Sequence, residues 1–262
     1  MPAAALDQLD LGLAEDFDRR YADRPFAPLA IVVAAYNEEP SVGAVVKALP
    51  EEVCGLGVQV IVVSDGSTDQ TATAAAQAGA LVCDVRVNRG QGAALRLGYH
   101  LARQRGAKYI MTTDADGQYQ AADMERVVGP LVSGEADFVS GSRRLGSTTS
   151  RDSVRNLGVV VFATLISVLV RRRITDPSCG LRAMRAEVTG DVRLDQPQYQ
   201  ASELLISTAM AGYRVREVPI DMKARRSGKT KKGGNLLYGW RFASVVVGTW
   251  ARERRSTKTK RL

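Results

Sequence analysis

The chain has 262 residues, of which 45% are hydrophobic and 24% charged, a balance that is ordinary for a globular protein. Its single histidine, His100, excludes a histidine-based catalytic triad and a zinc site built on histidines. The three cysteines are scattered without metal-ligand spacing, so we expect reduced thiols in a cytosolic protein. A net charge of +8 predicts a polyanionic partner, which could be nucleic acid, an anionic membrane surface or a polyanionic substrate.

Strands and helices are predicted to alternate through the first half of the chain. Residues 1–27 are acidic and weakly patterned, and we expect a partly ordered arm or an N-terminal helix there. Short apolar runs predict strands at residues 29–35, 58–63, 80–85 and 109–113. Helices are predicted after these strands, at residues 41–49, 71–78, 93–105 and 123–133. The alternation predicts an α/β fold with a mostly parallel sheet flanked by helices.

Acidic residues follow the central predicted strand. Asp114 and Asp116 come directly after residues 109–113 with one alanine between them. Two neighbouring carboxylates are costly without a nearby positive charge, and Mg²⁺ is commonly held by one or two carboxylates plus substrate phosphates. Asn37–Glu38 and Asp65–Ser67 follow two other strands. Because ligands bind beyond the carboxyl ends of such strands, we predict a metal–diphosphate site here rather than a simple polar turn.

Other phosphate-binding signals in the first half are weak. The first strand is not followed by Gly-x-Gly-x-x-Gly, and the chain has no Walker sequence, so neither a dinucleotide site nor a P-loop is supported. Asn88–Gly92 has two glycines at a predicted strand-to-helix turn. By itself this pattern is only a weak indication of phosphate binding.

The second half of the chain carries most of the basic clusters. A strand at residues 137–140 precedes Arg143, whose guanidinium could bind phosphate in a bidentate manner. Residues 157–170 form an apolar run that predicts either a core helix or one lying partly in a lipid groove. As a helix it would span roughly 21 Å, short of the ~30 Å hydrocarbon core of a bilayer.

We predict a further turn, helix and strand before the C-terminus, followed by a basic segment. These elements are a turn at residues 175–182, a helix near 202–211, a strand at 213–220, a Lys/Arg/Gly loop through Gly234 and an apolar segment at 236–250. The domain prediction is an arm at 1–27, one catalytic domain at 28–234 and an amphipathic, basic segment at 235–262.

Taken together, these motifs resemble family 2 glycosyltransferases of the GT-A fold, specifically the dolichol-phosphate mannose synthase group. The resemblance covers about residues 28–240 and rests on an ordered set of motifs: 35–38, 64–69, 88–92, 114–118, 141–143, 176–180 and 217–220, with Arg225, Gly228 and Lys231. The sequence departs from the family pattern at Ala34, Ser64, Cys179 and Leu181. The Ser64 departure touches the base-binding end and so bears on the identity of the nucleotide.

The resemblance implies a role for each matching position. Nucleotide-sugar binding is implied for Ala35, Tyr36, Glu38, Val63, Asp65, Asp114, Ala115 and Lys231. Binding of Mg²⁺ or Mn²⁺ is implied for Asp114, Asp116 and Gln118. Contact with the acceptor phosphate is implied for Arg143, Arg155 and Arg225, and a catalytic role for Asp116, Arg143 and Arg225.

The implied reaction is an inverting transfer of a hexose from GDP-mannose or a UDP-hexose to a polyprenyl phosphate. A phosphate acceptor is already anionic, so it needs cations to hold it rather than a general base. We expect a peripheral protein on the cytoplasmic face of the membrane, attached directly or through a small membrane partner. One alternative is a transferase for a non-lipid alcohol, which could use Asp176 as its base; a nucleotidyltransferase is another. A nucleic-acid-binding protein is disfavoured, because an aromatic content of 6% leaves few stacking platforms.

Overall fold

The computed structural model describes residues 7–115, 117–148, 153–222 and 236–259. The strands are β1 (Leu29–Ala35), β2 (Glu52–Val53), β3 (Leu56–Asp65), β4 (Leu81–Val85), β5 (Tyr109–Asp114), β6 (Phe138–Thr148), β7 (Arg182–Arg185) and β8 (Val215–Met222). The helices are α1 (Gln8–Tyr21), α2 (Glu39–Ala48), α3 (Thr71–Gln77), α4 (Gln91–Gln104), α5 (Ala121–Val132), α6 (Ser153–Val170), α7 (Val188–Asp191), α8 (Gln200–Met210) and α9 (Leu236–Thr259).

The strands form one mixed sheet with β1 near its centre, in which β2 pairs antiparallel with β3. β1 pairs in parallel with β3 and β5, β3 pairs in parallel with β4, and β6 pairs in parallel with β8. The predicted α/β architecture is therefore confirmed. β7 was not predicted: it lies antiparallel between β5 and β6, where we expected only the end of a turn. Its four residues begin and end with arginine, which hides the apolar pattern of a strand.

Two hydrophobic clusters cover the two faces of the sheet. On β1, Ala30 and Val32 face the cluster that includes α1, α4, α6, α8 and α9. Leu29, Ile31 and Val33 face the opposite cluster, which includes α2, α3 and α5. Because both faces of β1 are covered, the strand is apolar throughout instead of alternating.

The N-terminal segment is helical over Gln8–Tyr21 and packs on the core. The side chain of Asp7 caps the helix by accepting the backbone N–H of Asp10 at 2.8 Å. Ala14, Phe17 and Tyr21 are buried, and the Tyr21 hydroxyl accepts the backbone N–H of Val82 on β4 at 2.9 Å. Of the two alternatives for this segment, arm or helix, the structure contains the helix.

α6 and α9 lie side by side on one face of the sheet. The rings of Phe162 and Phe242 are 4.3 Å apart, and Trp250 Nε1 donates to the backbone oxygen of Leu169 at 3.0 Å. These contacts advance in the same order along both helices, so the helices run parallel. α6 buries Ile166 and exposes Val168, so it is a core helix with an apolar outer face. Within the described ranges, no helix is long and apolar enough to cross a membrane.

Candidate active site

Asp114 ends β5 at the carboxyl edge of the parallel strands and is half-buried. Its Oδ1 accepts the amide of Gln91 at 3.4 Å, and its Oδ2 accepts the hydroxyl of Tyr119 at 3.4 Å. Both hydrogen bonds are long, so the carboxylate keeps lone pairs that can bind a cation. An oxygen donor at this edge fits a hard divalent ion.

The absence of a side chain at Gly180 leaves room for the Asp114 carboxylate. A Cβ at Gly180 would lie 2.8 Å from Cγ of Asp114, a separation that real side chains do not adopt. The backbone of Gly180 is fixed on both sides: its N–H donates to the Tyr119 hydroxyl at 3.1 Å, and its carbonyl accepts the Thr112 hydroxyl at 2.7 Å. Burial of the Tyr119 hydroxyl raises its pKa, so it stays protonated and can donate to Asp114.

Arg143, on β6 beyond its pairing with β7, is bound to Asp176. Its Nε donates to Asp176 Oδ2 and its Nη2 donates to Asp176 Oδ1, both at 2.6 Å. Nη2 also donates to the Ser178 hydroxyl at 2.8 Å. Burial alone would raise the pKa of Asp176, but the guanidinium outweighs burial and the pKa lies below its usual range. The same pairing raises the pKa of Arg143 against the effect of burial. The pair is therefore fully ionised at neutral pH.

Glu217, on β8, holds the segment that carries Asp176. Its Oε1 accepts the backbone N–H of Asp176 at 2.8 Å, and its Oε2 accepts the backbone N–H of Thr175 at 2.7 Å. The Thr175 hydroxyl also contacts Ser142 Oγ at 2.6 Å. Burial raises the pKa of Glu217, although the hydrogen bonds to Asp176 and Thr175 oppose that rise. Residues 175–180 thus link the end of β6 to the end of β5.

Asp65 ends β3 and binds the turn that precedes α4. The residue is 2% exposed, and its carboxylate accepts the backbone N–H groups of Arg89, at 3.1 Å, and Gly90, at 2.7 Å. Burial raises the pKa of Asp65, and these two hydrogen bonds oppose the rise. In this structure Asp65 fixes the turn, and its predicted contact with the nucleoside stays a prediction.

The two glycines of the Asn88–Gly92 turn are required by the chain itself. A Cβ at Gly90 would lie 2.7 Å from the carbonyl oxygen of Pro197, and a Cβ at Gly92 would overlap the carbonyl of Gln196. The N–H of Gly92 donates to the Pro197 carbonyl at 2.8 Å. The two glycines therefore allow a close approach between two backbone segments, and the weak indication of phosphate binding at this turn stays a prediction.

The predicted nucleoside residues after β1 lie against the loop after β3. Asn37 accepts the N–H of Thr68 at 2.8 Å, and the N–H of Glu38 donates to the Thr71 hydroxyl at 2.8 Å. Tyr36 is exposed on this edge. The loop that follows β1 is thereby joined to the loop that follows β3.

Some of the remaining predicted site residues are buried, and others are not described by the structure. Ala35, Val63 and Ala115 are buried, so any contact they make with a ligand is through the backbone. Gln118 is half-buried in the segment after Asp114. Asp116, Arg225 and Lys231 lie outside the described residues. Arg155 lies within α6, but its side chain is not described.

Several residues that shape the site were not assigned a role from the sequence. Tyr119 directly follows the 114–118 motif, and its position was the available signal. Gln91 and Gly180 lie inside quoted motifs, but nothing local to either predicts its contact with Asp114. Among the residues the structure describes, no three His, Cys, Asp or Glu side chains form a metal-binding group. The predicted metal site depends on Asp116, which lies outside that set.

Comparison with known proteins gives one consistent family. The model of glycosyl transferase family 2 matches residues 30–193. A dolichyl-phosphate hexose transferase of Haloferax volcanii is 33% identical over 79% of this chain and 87% of its own length. A polyprenol monophosphomannose synthase of Mycolicibacterium smegmatis is 30% identical over 87% of this chain and 88% of its own.

A solved structure supports the fold. Glucosyl-3-phosphoglycerate synthase from Mycobacterium tuberculosis, in complex with Mn²⁺, UDP and phosphoglyceric acid, superposes with a TM-score of 0.67 at 22% identity. The match covers 90% of this chain and 82% of that one. At this identity the similarity bears on the architecture alone.

Proposed function

Because the chain belongs to glycosyl transferase family 2, we propose that it transfers a hexose from GDP-mannose or a UDP-hexose to a polyprenyl phosphate, with inversion at the anomeric carbon. The observation that carries the acceptor class is the pairing of Asp176 with Arg143. Asp176 is the acid on the predicted acceptor side that an alcohol-directed enzyme could use as its base. Its carboxylate accepts hydrogen bonds from a guanidinium on both oxygens, and its lowered pKa makes it a poor proton acceptor.

On the donor side, Asp114, Asp116 and Gln118 are the proposed ligands of Mg²⁺ or Mn²⁺. The long contacts of Asp114 and the clearance left by Gly180 support this assignment. When bound, the ion supplies positive charge against the leaving diphosphate. Tyr36, Glu38 and the segment that Asp65 fixes are proposed to hold the nucleotide.

On the acceptor side, the nucleophile is a phosphate oxygen of the lipid. It forms a bond to the anomeric carbon as the bond to the nucleoside diphosphate breaks, and no proton has to be removed. Arg155 and Arg225 are proposed to hold the acceptor phosphate, and Lys231 is proposed to bind the donor; together these cations offset the repulsion between the phosphate and the diphosphate. Arg143 is proposed to support them through Nη1, which is not used in the pairing with Asp176 and donates to the Met222 sulfur at 3.9 Å.

The direct test is transfer from radiolabelled donors in the presence of Mg²⁺. GDP-mannose, UDP-glucose and UDP-N-acetylglucosamine are each incubated with undecaprenyl phosphate, dolichyl phosphate or unphosphorylated undecaprenol. We expect one donor to give an organic-extractable, acid-labile product with the phosphates only. Equal labelling of undecaprenol, or product only with a water-soluble alcohol, would overturn the proposed acceptor.

Peripheral contact with an anionic membrane surface is part of the same proposal. Val161 and Val168 lie on one outer face of α6 at i and i+7, and Trp240 and Val247 lie in the same relation on α9. Their exposed fractions are 55%, 70%, 72% and 46%. Because α6 and α9 are adjacent and parallel, the two stripes support a shared apolar surface for lipid.

Basic residues accompany this apolar surface. Arg171–Arg173 directly follow α6 and are exposed. A Lys or Arg near an anionic membrane contributes about 1 kcal/mol, so a few such residues together with buried apolar area support reversible attachment.

A further inference from the structure

A fully buried carboxylate on α8 binds the loop that precedes the helix. Glu203 is 0% exposed; its Oε1 accepts the backbone N–H of Asp195 and its Oε2 accepts the backbone N–H of Gln196, both at 2.9 Å. A carboxylate that accepts two backbone N–H groups holds the peptide in one orientation, because both hydrogen bonds are charge-assisted. The loop is therefore fixed at Asp195 and Gln196.

The compensating charge for Glu203 comes from the C-terminal helix. Arg252 on α9 places Nη1 3.0 Å from Glu203 Oε1 and 2.9 Å from Asp195 Oδ2. Its Nη2 donates to the backbone oxygen of Arg193 at 2.8 Å. One guanidinium thus contacts both the buried acid and the loop that the acid holds. This pairing is needed because an unpaired buried carboxylate is strongly destabilising.

The carbonyl groups of this loop bind the turn before α4. Pro197 accepts the N–H of Gly92 at 2.8 Å, and Gln196 accepts Nη1 of Arg96 at 3.3 Å. The absence of a Cβ at Gly90 and Gly92 lets the two backbones approach this closely. The position of the turn therefore depends on the position of the loop.

The same turn supplies three contacts to the candidate active site. The N–H groups of Arg89 and Gly90 bind the Asp65 carboxylate, and the amide of Gln91 contacts Asp114 at 3.4 Å. A continuous set of hydrogen bonds thus runs from Arg252 to the carboxylate that ends β5.

We propose that Glu203 and Arg252 are positioning residues that set the 88–92 turn for binding the nucleotide diphosphate of the donor. The proposal rests on the proposed function, because it takes the donor to be a nucleotide sugar. Neither residue touches substrate; both act through the loop at 195–197. C-terminal helix α9, which lies beyond the family match at 30–193, thereby supports the donor site indirectly.

The sharpest variant is Glu203→Gln, which keeps the shape of the side chain. The Asp195 and Gln196 N–H groups bind different oxygens of Glu203, and a glutamine replaces one of those oxygens with an NH2 donor, so one of the two N–H groups would lose its acceptor. We expect the KM for the donor to rise by about tenfold with kcat changed less than twofold, and the affinity for UDP or GDP with Mg²⁺ to fall by a similar factor. Arg252→Lys should recover part of the loss seen in Arg252→Ala, because an ammonium keeps the charge but not the fork of donors.

The control is Arg19→Ala, which removes an exposed arginine whose partner is Asp16 at 3.3 Å, away from this set of contacts. It should leave the donor KM unchanged. A lower melting temperature in Glu203→Gln with an unchanged donor KM and an unchanged nucleotide affinity would mean that the pair only stabilises the fold, and the proposal would be wrong.

Amide hydrogen exchange separates this proposal from the proposed function, because it needs no substrate. In the full-length protein, Glu203→Gln should speed exchange in peptides covering residues 89–93 as well as 195–197, with residues 81–85 of β4 unchanged. Exchange that speeds only at 195–197 would overturn the coupling. If the wild type binds no nucleotide and transfers no sugar, the proposed function fails, whatever the exchange result.

Discussion

The guanidinium of Arg143 lies against the carboxylate of Asp176 with Nε and Nη2 each 2.6 Å from an oxygen. The two residues are far apart in the sequence and meet because residues 175–180 return to the ends of β5 and β6. Glu217 fixes that return through the backbone of Thr175 and Asp176. Arg143 is therefore held in place before any substrate binds.

Asp176→Asn should impair both stability and transfer. Removing one partner of a buried ion pair costs about 3–5 kcal/mol, because the remaining charge loses its compensation. The folded-state pKa of Asp176 is lowered, so its stabilising contribution is present above the unfolded value of about 3.9 and is lost as the pH falls through the lower folded value. Urea unfolding of the wild type and the variant at pH 7 and at pH 3 measures this contribution. The free energy of unfolding of the wild type should exceed that of the variant by less at pH 3 than at pH 7.

The pH dependence of transfer tests the role of Asp176 in the reaction. Because the residue is already ionised at neutral pH, we expect no titration of Asp176 in the rate profile between pH 6 and about pH 8. A limb in that range that disappears in Asp176→Asn would show a side-chain base. The phosphate acceptor would then have to be abandoned in favour of an alcohol.

Gly180→Ala should abolish donor binding while leaving the fold intact. The added Cβ would displace the Asp114 carboxylate, whose Cγ lies 2.8 Å from the Cβ position. Stabilisation of the protein against heat by UDP or GDP with Mg²⁺ measures binding. The matched control is Gly12→Ala on α1, where nothing lies within 4 Å and the new side chain should be neutral or slightly stabilising. Equal stabilisation by nucleotide in the two variants would contradict the clearance argument.

Asp114→Asn should remove the metal dependence of nucleotide binding. An amide keeps the size of the side chain but loses the charge that a divalent cation needs. Titration calorimetry with UDP and GDP, in Mg²⁺ and then in EDTA, should show a large difference for the wild type and little for the variant. Transfer that persists in EDTA would rule out a metal site at Asp114, Asp116 and Gln118.

Arg225→Ala should lower kcat/KM by about ten- to a hundredfold, since a charge-assisted contact to phosphate is worth roughly 1.5–3 kcal/mol. Arg225→Lys should recover only part of this loss, because an ammonium cannot bind phosphate in a bidentate manner. Arg216→Ala is a suitable control: its side chain is exposed on β8 and pairs with Glu135. A loss of the same size in both variants would show a general effect of removing positive charge.

Flotation with liposomes tests the proposed membrane contact through α6 and α9. The protein should float with vesicles that contain anionic lipid and not with neutral ones. Val168→Ser combined with Trp240→Ser should weaken flotation, because both side chains are largely exposed on these helices. Val132→Ser is the control: it is exposed at 43% on α5, on the opposite face of the sheet. Flotation that is equally weakened in the control, or absent in the wild type, would contradict the proposed surface.

Local patterns in the sequence were enough to predict most of the fold. Continuous apolar runs such as 29–35 predict strands buried on both faces, and the acidic residues that follow them predict which edge carries the site. The strand predictions succeed because hydrophobic periodicity is a property of neighbouring residues, and the position of the site at this edge stays a prediction. The family resemblance rests on motifs of the same kind, and the match at 30–193 confirms it.

Only the tertiary structure shows the contacts between segments that are distant in the sequence. The antiparallel β7, the pairing of Arg143 with Asp176 and the need for glycine at positions 90, 92 and 180 all depend on backbones that approach from elsewhere in the chain. The connection from Arg252 through Glu203 to the 88–92 turn is of the same kind. The partners in each of these contacts are far apart in the sequence. Whether a buried charge is stabilised, or a glycine is required, depends on the group that folding places beside it.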